Sequence, residues 1–156
     1  MRVLAWVEPA TWPAVVDAAL ALPGASVTLA AVADPRAVLP DRPSPLGSPR
    51  RRSRAASDAV TDAARRVLEE AAARALGPGL STRLLTGPTE RVVVEAAREA
   101  DVLVVARDGD RSRLGPRSLG RDARFIVDHA PCTVVLVWPG DAPPLGTLPP
   151  APPEAD

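Results

Sequence analysis

A chain of 156 residues is long enough for one globular domain with its own core and too short for two ordinary ones. All nineteen basic side chains are arginine and nineteen acids balance them, so no global field draws the protein to nucleic acid or a membrane surface, and any basic function is local. One cysteine and one histidine exclude a disulfide framework and a Cys/His metal cluster; no apolar run approaches the ~20 residues of a membrane span, and a cytoplasmic protein is expected.

Arg2 to Val7 is a short apolar run closed by Glu8-Pro9, which reads as a buried first strand. A helix follows, with Thr11 able to cap it, Pro13 in its first turn and Val15, Val16, Ala19 and Leu20 at helical spacing before Pro23-Gly24. Ser26 to Ala33 is the second strand. From Asp34 to Ala56 the prolines at 35, 40, 43, 45 and 49 and the run Arg50-Arg51-Arg52-Ser53-Arg54 carry no apolar face, and a long surface loop is expected. Without interleaved aromatic residues the arginine run reads as a solvated tether and not as a nucleic-acid site.

Ser57 is a candidate cap for the longest helix, whose stripe of Val60, Ala64, Val67, Leu68 and Ala71 faces inward until Gly77-Pro78-Gly79 ends it. Leu80 to Thr86 reads as strand three, and a helix is expected from about Thr89 to Ala100. Val102 to Ala106 is aliphatic without alternation, as in a central parallel strand buried on both faces. The last helix carries Ala123, Ile126, Val127 and Ala130 on one face, and Cys132 to Trp138 makes strand five. Residues 139 to 156 contain seven prolines and no core pattern, and a disordered tail is expected. Five strands alternating with four helices give an α/β fold: a doubly wound, open, parallel five-stranded sheet with helices on both faces. Ligands bind such a sheet where the carboxyl ends of its strands splay, here around Glu8, Val32 and the loop after Ala106.

That loop, Ala106 to His129, combines Gly109, Gly115 and Gly120 with six arginines from Arg107 to Arg124. Glycine permits close backbone approach, and a loop between a strand and a helix N-terminus is a ready anion site. Arg107, Arg111, Arg113, Arg117 and Arg121 are suited to charge-assisted bonds to phosphate, while Asp108, Asp110 and Asp122 are placed to neutralise several of them. Ser112 and Ser118 are spare hydroxyls. Glu8 reads either as a group for a ribose hydroxyl or magnesium, or as an exposed turn residue. His129 reads as a cap of the last helix, and Cys132 as a small apolar residue.

The run Glu-Arg-Val-Val-Val-Glu-Ala-Ala-Arg-Glu-Ala-Asp leading into Val102-Leu103-Val104-Val105, and His129-Ala130-Pro131-Cys132-Thr133-Val134-Val135-Leu136-Val137, resemble segments of the universal stress protein family. The resemblance covers residues 2 to 138 and implies a single domain over 1–138 with strand order 3-2-1-4-5. It also implies a regulatory or binding role without strong catalysis, and a homodimer through Thr133 to Trp138 acting on an unidentified protein partner. Nucleotide-binding members carry a loop with the pattern Gly, two residues, Gly, nine residues, Gly, then Ser or Thr. Here those positions fall on Ala106, Gly109, Gly120 and Arg121, with ten residues between the last two glycines. Where the family has an aspartate followed by Gly-Ser, this chain has Glu8-Pro9-Ala10, and Pro9 offers no N–H. Val32 matches a position that lies against adenine. The resemblance thus gives Glu8, Val32, Ala106, Gly109, Gly120 and Arg121 as the candidate ATP contacts. Three readings stay open: a regulatory domain with a divergent loop that no longer binds ATP, a nucleotide switch in which arginines replace the missing contacts, and a slow ATP hydrolase.

Overall fold

The computed structural model describes residues 1–37 and 49–153. Nine regular elements follow one another as β1 (Arg2–Trp6), α1 (Trp12–Leu20), β2 (Ser26–Ala33), α2 (Pro49–Arg74), β3 (Leu80–Thr86), α3 (Thr89–Ala97), β4 (Val102–Ala106), α4 (Arg121–His129) and β5 (Thr133–Val137). All strand pairs are parallel, in the order β3-β2-β1-β4-β5, with Val3 opposite both Val27 and Val102 and Val104 opposite Val135.

Alternation along the strands divides the core between two faces. Val3, Ala5, Leu29 and Val104 pack under α1 and α2 with Val15, Val16 and Leu68. Leu4, Trp6, Leu103 and Val105 pack under α3 and α4 with Val93 and Ile126. β4 is buried along its whole length, which is why its sequence is aliphatic at every position. With β1 and β4 adjacent and their crossovers on opposite faces, the carboxyl ends of β1, β2 and β4 open toward the same end of the sheet.

The structure adds detail to several of these expectations and changes some of them. α2 begins at Pro49, so residues 49–56 are helical, whereas the loop expectation for 38–48 lies outside the described residues. Proline suits the first helical position, and arginine and alanine are strong helix formers. Ser57 therefore lies inside the helix, where its carbonyl accepts a bond from Thr61 Oγ1. Thr11 stands at the N-cap of α1 but makes no cap bond, and its buried Oγ1 has no partner; the Glu8 carbonyl takes the N–H groups of Thr11 and Trp12, and Pro13 has no N–H to satisfy. In the tail, Leu145–Thr147 form a 3-10 turn, and Thr147 Oγ1 accepts the Leu114 N–H at 3.0 Å while donating to Pro144 O. α3 also stops at Ala97, three residues earlier than its sequence pattern. Among the described residues no helix is long and apolar enough to cross a membrane.

Candidate functional site

Glu8 follows β1, Val32 lies near the end of β2 and Asp34 directly after it. Together with Trp6, Val60 and Val67 they line a cavity of about 240 Å3 between the sheet and α2. Its walls are mainly apolar, and among the described residues its two charged lining residues, Glu8 and Asp34, are acids. Glu8 is half-buried; burial first, then the neighbouring charges of Asp108 and Asp122, push its carboxyl up to about 8, so it carries a proton at neutral pH.

Asp34 is buried and fully engaged. It accepts the Thr89 N–H at 2.8 Å, the Thr89 hydroxyl at 3.0 Å, the Arg36 N–H at 2.8 Å and the Arg36 guanidinium at 2.7 Å. Arg36, itself in the short turn after β2, forks onward to Glu90 at 3.1 and 2.6 Å. The Arg36 guanidinium, helped by the backbone and hydroxyl donors, holds the Asp34 carboxyl far below the usual carboxylate range. The end of β2 is thereby tied to the N-terminus of α3.

After β4, the glycine and arginine loop closes on itself. Gly109 N–H donates to Ser118 O at 2.9 Å and Asp110 N–H to Arg117 O at 2.8 Å, while Ser118 and Leu119 N–H complete a turn on Gly115 and Pro116. The Ser112 hydroxyl, at 2.6 Å, and then the Ser112 N–H, at 3.0 Å, donate to Asp110 Oδ1 and lower that carboxyl from its ordinary value. Gly120 N–H, the amide at the N-cap of α4, donates to Asp108 Oδ1 at 2.7 Å. A Cβ at Gly109 would strike Arg117 O, and one at Gly120 would lie 2.8 Å from Asp108 Oδ1. The glycines thus serve close approach, as expected, but what approaches them is the chain itself.

The arginines divide by partner. Arg107 lies 4.7 Å above the Trp138 ring and donates to Ser118 Oγ at 2.6 Å, joining the loop to the end of β5. Arg124 donates to Pro116 O at 2.9 Å. Arg113 and Arg117 face the tail turn across an open hollow shared with Leu114 and Leu148. None of the six arginines lines the Glu8 cavity.

Of the sequence candidates, the structure brings Glu8 and Val32 to one cavity and Gly109 to Gly120 at the loop closure. Ala106 is buried at the end of β4, and Arg121 opens α4 in a separate hollow beside Glu90, Phe125 and His129. His129 donates from Nδ1 to Phe125 O at 2.8 Å and stacks on the Phe125 ring, so it closes the helix as read. Burial raises the Cys132 thiol. Two residues at the site have other partners than the sequence reading gives them: Asp34, read as the start of a surface loop, takes Thr89 and Arg36, and Asp108, read as a neutraliser of arginines, takes the Gly120 N–H; the one available signal was the Asp-Gly pair at 108–109, a dipeptide that favours tight turns. Among the described residues no group of three or more His, Cys, Asp or Glu side chains is arranged to hold a metal ion.

The model of the universal stress protein family matches residues 9–137. Among solved structures, the chain is similar to the universal stress protein UspA from Lactobacillus plantarum, at 22% identity and a TM-score of 0.57 over 88% of this chain and 97% of that one. It is also similar to the universal stress protein from Archaeoglobus fulgidus, at 22% identity and a TM-score of 0.62 over 88% and 98%. A third is a universal stress protein described in complex with cAMP, at 21% identity and a TM-score of 0.57 over 90% and 98%. No curated protein matches the chain.

Proposed function

Because the chain belongs to the universal stress protein family, we propose that it is a cytoplasmic, homodimeric regulatory domain that binds a small ligand in the Glu8–Val32 cavity and does not grip a nucleoside triphosphate through its loop. The observation that carries this reading is the Asp108 carboxylate on the Gly120 N–H, at 2.7 Å, with the Gly109, Asp110, Ser118 and Leu119 amides also spent within the loop. A phosphate held by this kind of loop needs those donors. The experiment is a melting series with and without millimolar Mg-ATP. A ligand at 100 times its dissociation constant adds about 2.7 kcal/mol of stability; the expected shift here is near zero, and a shift of several degrees sinks the reading.

The dimer is proposed through Thr133 to Trp138. β5 is an edge strand with β4 as its one neighbour, and Val134 to Val137 are only half-buried. An aliphatic edge of this kind invites pairing with a second copy about a two-fold axis. Light scattering at micromolar concentration is expected to give the mass of two chains; a mass of one chain removes the dimer.

A second reading, ATP binding with arginines in place of the missing contacts, is favoured by the likeness to a universal stress protein described in complex with cAMP. Under it, Mg-ATP stabilises the protein and Arg121→Ala lessens the effect. Slow ATP hydrolysis is favoured by no observation.

A further inference from the structure

We infer that the amino-terminal halves of β1, β2 and β3 form a second binding site, at the opposite end of the sheet from Glu8, for a small linear molecule with an acidic group at each end: an aliphatic dicarboxylate held between Arg2 and Arg83.

The site follows from the way the sheet's register meets a short helix. Leu4, Ala30 and Leu85 belong to the core under α3, so strand alternation puts Arg2, Ser26, Thr28, Ser81 and Arg83 on that same face. Pairing sets Arg2 beside Ser26, Leu4 beside Thr28, Thr28 beside Ser81 and Ala30 beside Arg83. The Thr28 and Ser81 hydroxyls meet at 2.8 Å. α3 stops at Ala97, and Ala96 and Ala100 are too small to cover this corner of the sheet. What remains is a cavity of about 330 Å3, with the buried Leu4 and Ala96 in its floor and the exposed side chains of Arg2, Arg83 and Glu99 at its rim.

The charges at the rim fit two carboxylates. Arg2 is held in place by Asp101, which takes its backbone N–H at 2.7 Å, its Nε at 3.4 Å and its Nη2 at 2.9 Å. Arg83 meets Glu99 through one bond from Nη1 at 3.3 Å, and the Glu99 side chain is 76% exposed. A guanidinium has five N–H donors, so these bonds leave each arginine donors for a further carboxylate. An exposed single contact of the Arg83–Glu99 kind contributes little to stability, and a ligand carboxylate that docks with better geometry on the Arg83 fork replaces it. The two arginines stand on β1 and β3, two strand spacings or about 10 Å apart across the sheet. A single small anion on one of them leaves the other to water. Two carboxylates joined by a short methylene chain engage both, while the methylenes cover the Leu4 floor and the Ser26 and Thr28 hydroxyls lie alongside.

The test titrates succinate, glutarate and acetate into the 15N-labelled full chain at low ionic strength, where exposed charges are least screened, and follows the amide resonances. Succinate or glutarate is expected to move the amides of Ser26, Thr28, Arg83 and Glu99 and to bind roughly tenfold or more tightly than acetate, because its second carboxylate docks intramolecularly. Arg83→Ala is expected to weaken the dicarboxylate by about tenfold, the worth of a hydrogen bond between charged groups, and Arg83→Lys, which keeps the charge without the fork, by less. Glu99→Gln removes the internal competitor and is expected to strengthen binding by about two- to fivefold. Both side chains are exposed, so an unchanged melting temperature is expected for all three variants. Amides that do not respond, responses confined to another part of the chain, acetate binding as tightly as the dicarboxylates, or an affinity indifferent to Arg83→Ala would each overturn the site.

Discussion

Replacing Glu8 with glutamine is expected to flatten the pH dependence of stability between pH 5 and 9, leaving the protein little changed at pH 5 and about 2–4 kcal/mol more stable at pH 9. The sign follows from the direction of the shift. Glu8 titrates at about 8 in the folded chain, against an ordinary value of 4.5. Between those values the unfolded chain has lost the proton and the folded chain keeps it, so unfolding releases a proton and stability falls as pH rises. Below about 4.5 both states are protonated and above about 8 both are ionised, so the slope vanishes at either end. The full shift corresponds to about 1.4 kcal/mol per unit, and relaxation around a half-buried carboxyl trims the total. Glutamine keeps the shape and the neutral state throughout. For a chain of this size the alkaline gain amounts to roughly 5–10 °C in melting temperature. Parallel melting curves for the two proteins across the range would show that Glu8 ionises freely in the fold, and would place it at the surface and not in the cavity wall.

How much of this site was legible beforehand depends on which part is asked about. The placement of Glu8 and Val32 followed from strand periodicity alone, because a parallel sheet puts the residues after its strands at one end whatever their chemistry. The bounds of β2, β3 and β4 were equally legible: Val102–Ala106 is aliphatic throughout, and β2 and β3, which do carry polar residues, are bounded by Gly24 and Asp34 and by Gly79 and Gly87. The occupant of the loop was not legible. Whether the Gly120 amide faces a ligand or Asp108 depends on how a twelve-residue excursion folds back, and nothing in the local sequence separates a glycine that approaches a phosphate from one that approaches its own chain. Arg107 is a similar case: it was read as a phosphate ligand, but its partners are Ser118, eleven residues on, and Trp138, which reaches it only once β5 has paired with β4. The helical start at Pro49 was missed for a different reason. Proline marks breaks and also first turns, and an arginine-rich surface helix lacks the apolar stripe by which helices are recognised.

Asp34, by contrast, was read as the first residue of a surface loop, and its removal is expected to be the more damaging of the two substitutions at neutral pH. Asp34→Ala should cost about 2–4 kcal/mol, measured by chemical denaturation. The carboxylate caps α3 through the Thr89 amide, takes the Thr89 hydroxyl, and anchors the turn after β2 through Arg36. Alanine leaves the Thr89 amide without its partner at the positive end of the helix, where a negative charge was also favourable. It frees Arg36 as well, and with it the fork to Glu90 that joins β2 to α3. Asp34→Asn retains an acceptor and should lose roughly half as much. The acid limb provides an independent check. The Asp34 carboxyl titrates well below its ordinary 3.8 in the folded chain, so its contribution is fully present above that value and disappears as pH falls through the folded pKa. The deficit of the alanine variant relative to wild type should therefore shrink under strongly acid conditions, the opposite limb from Glu8. A deficit below about 0.5 kcal/mol at pH 7 would put Asp34 among ordinary surface pairs, and the tie between β2 and α3 would then have to reside in the packing of Val93, Ala96 and Ala97 alone.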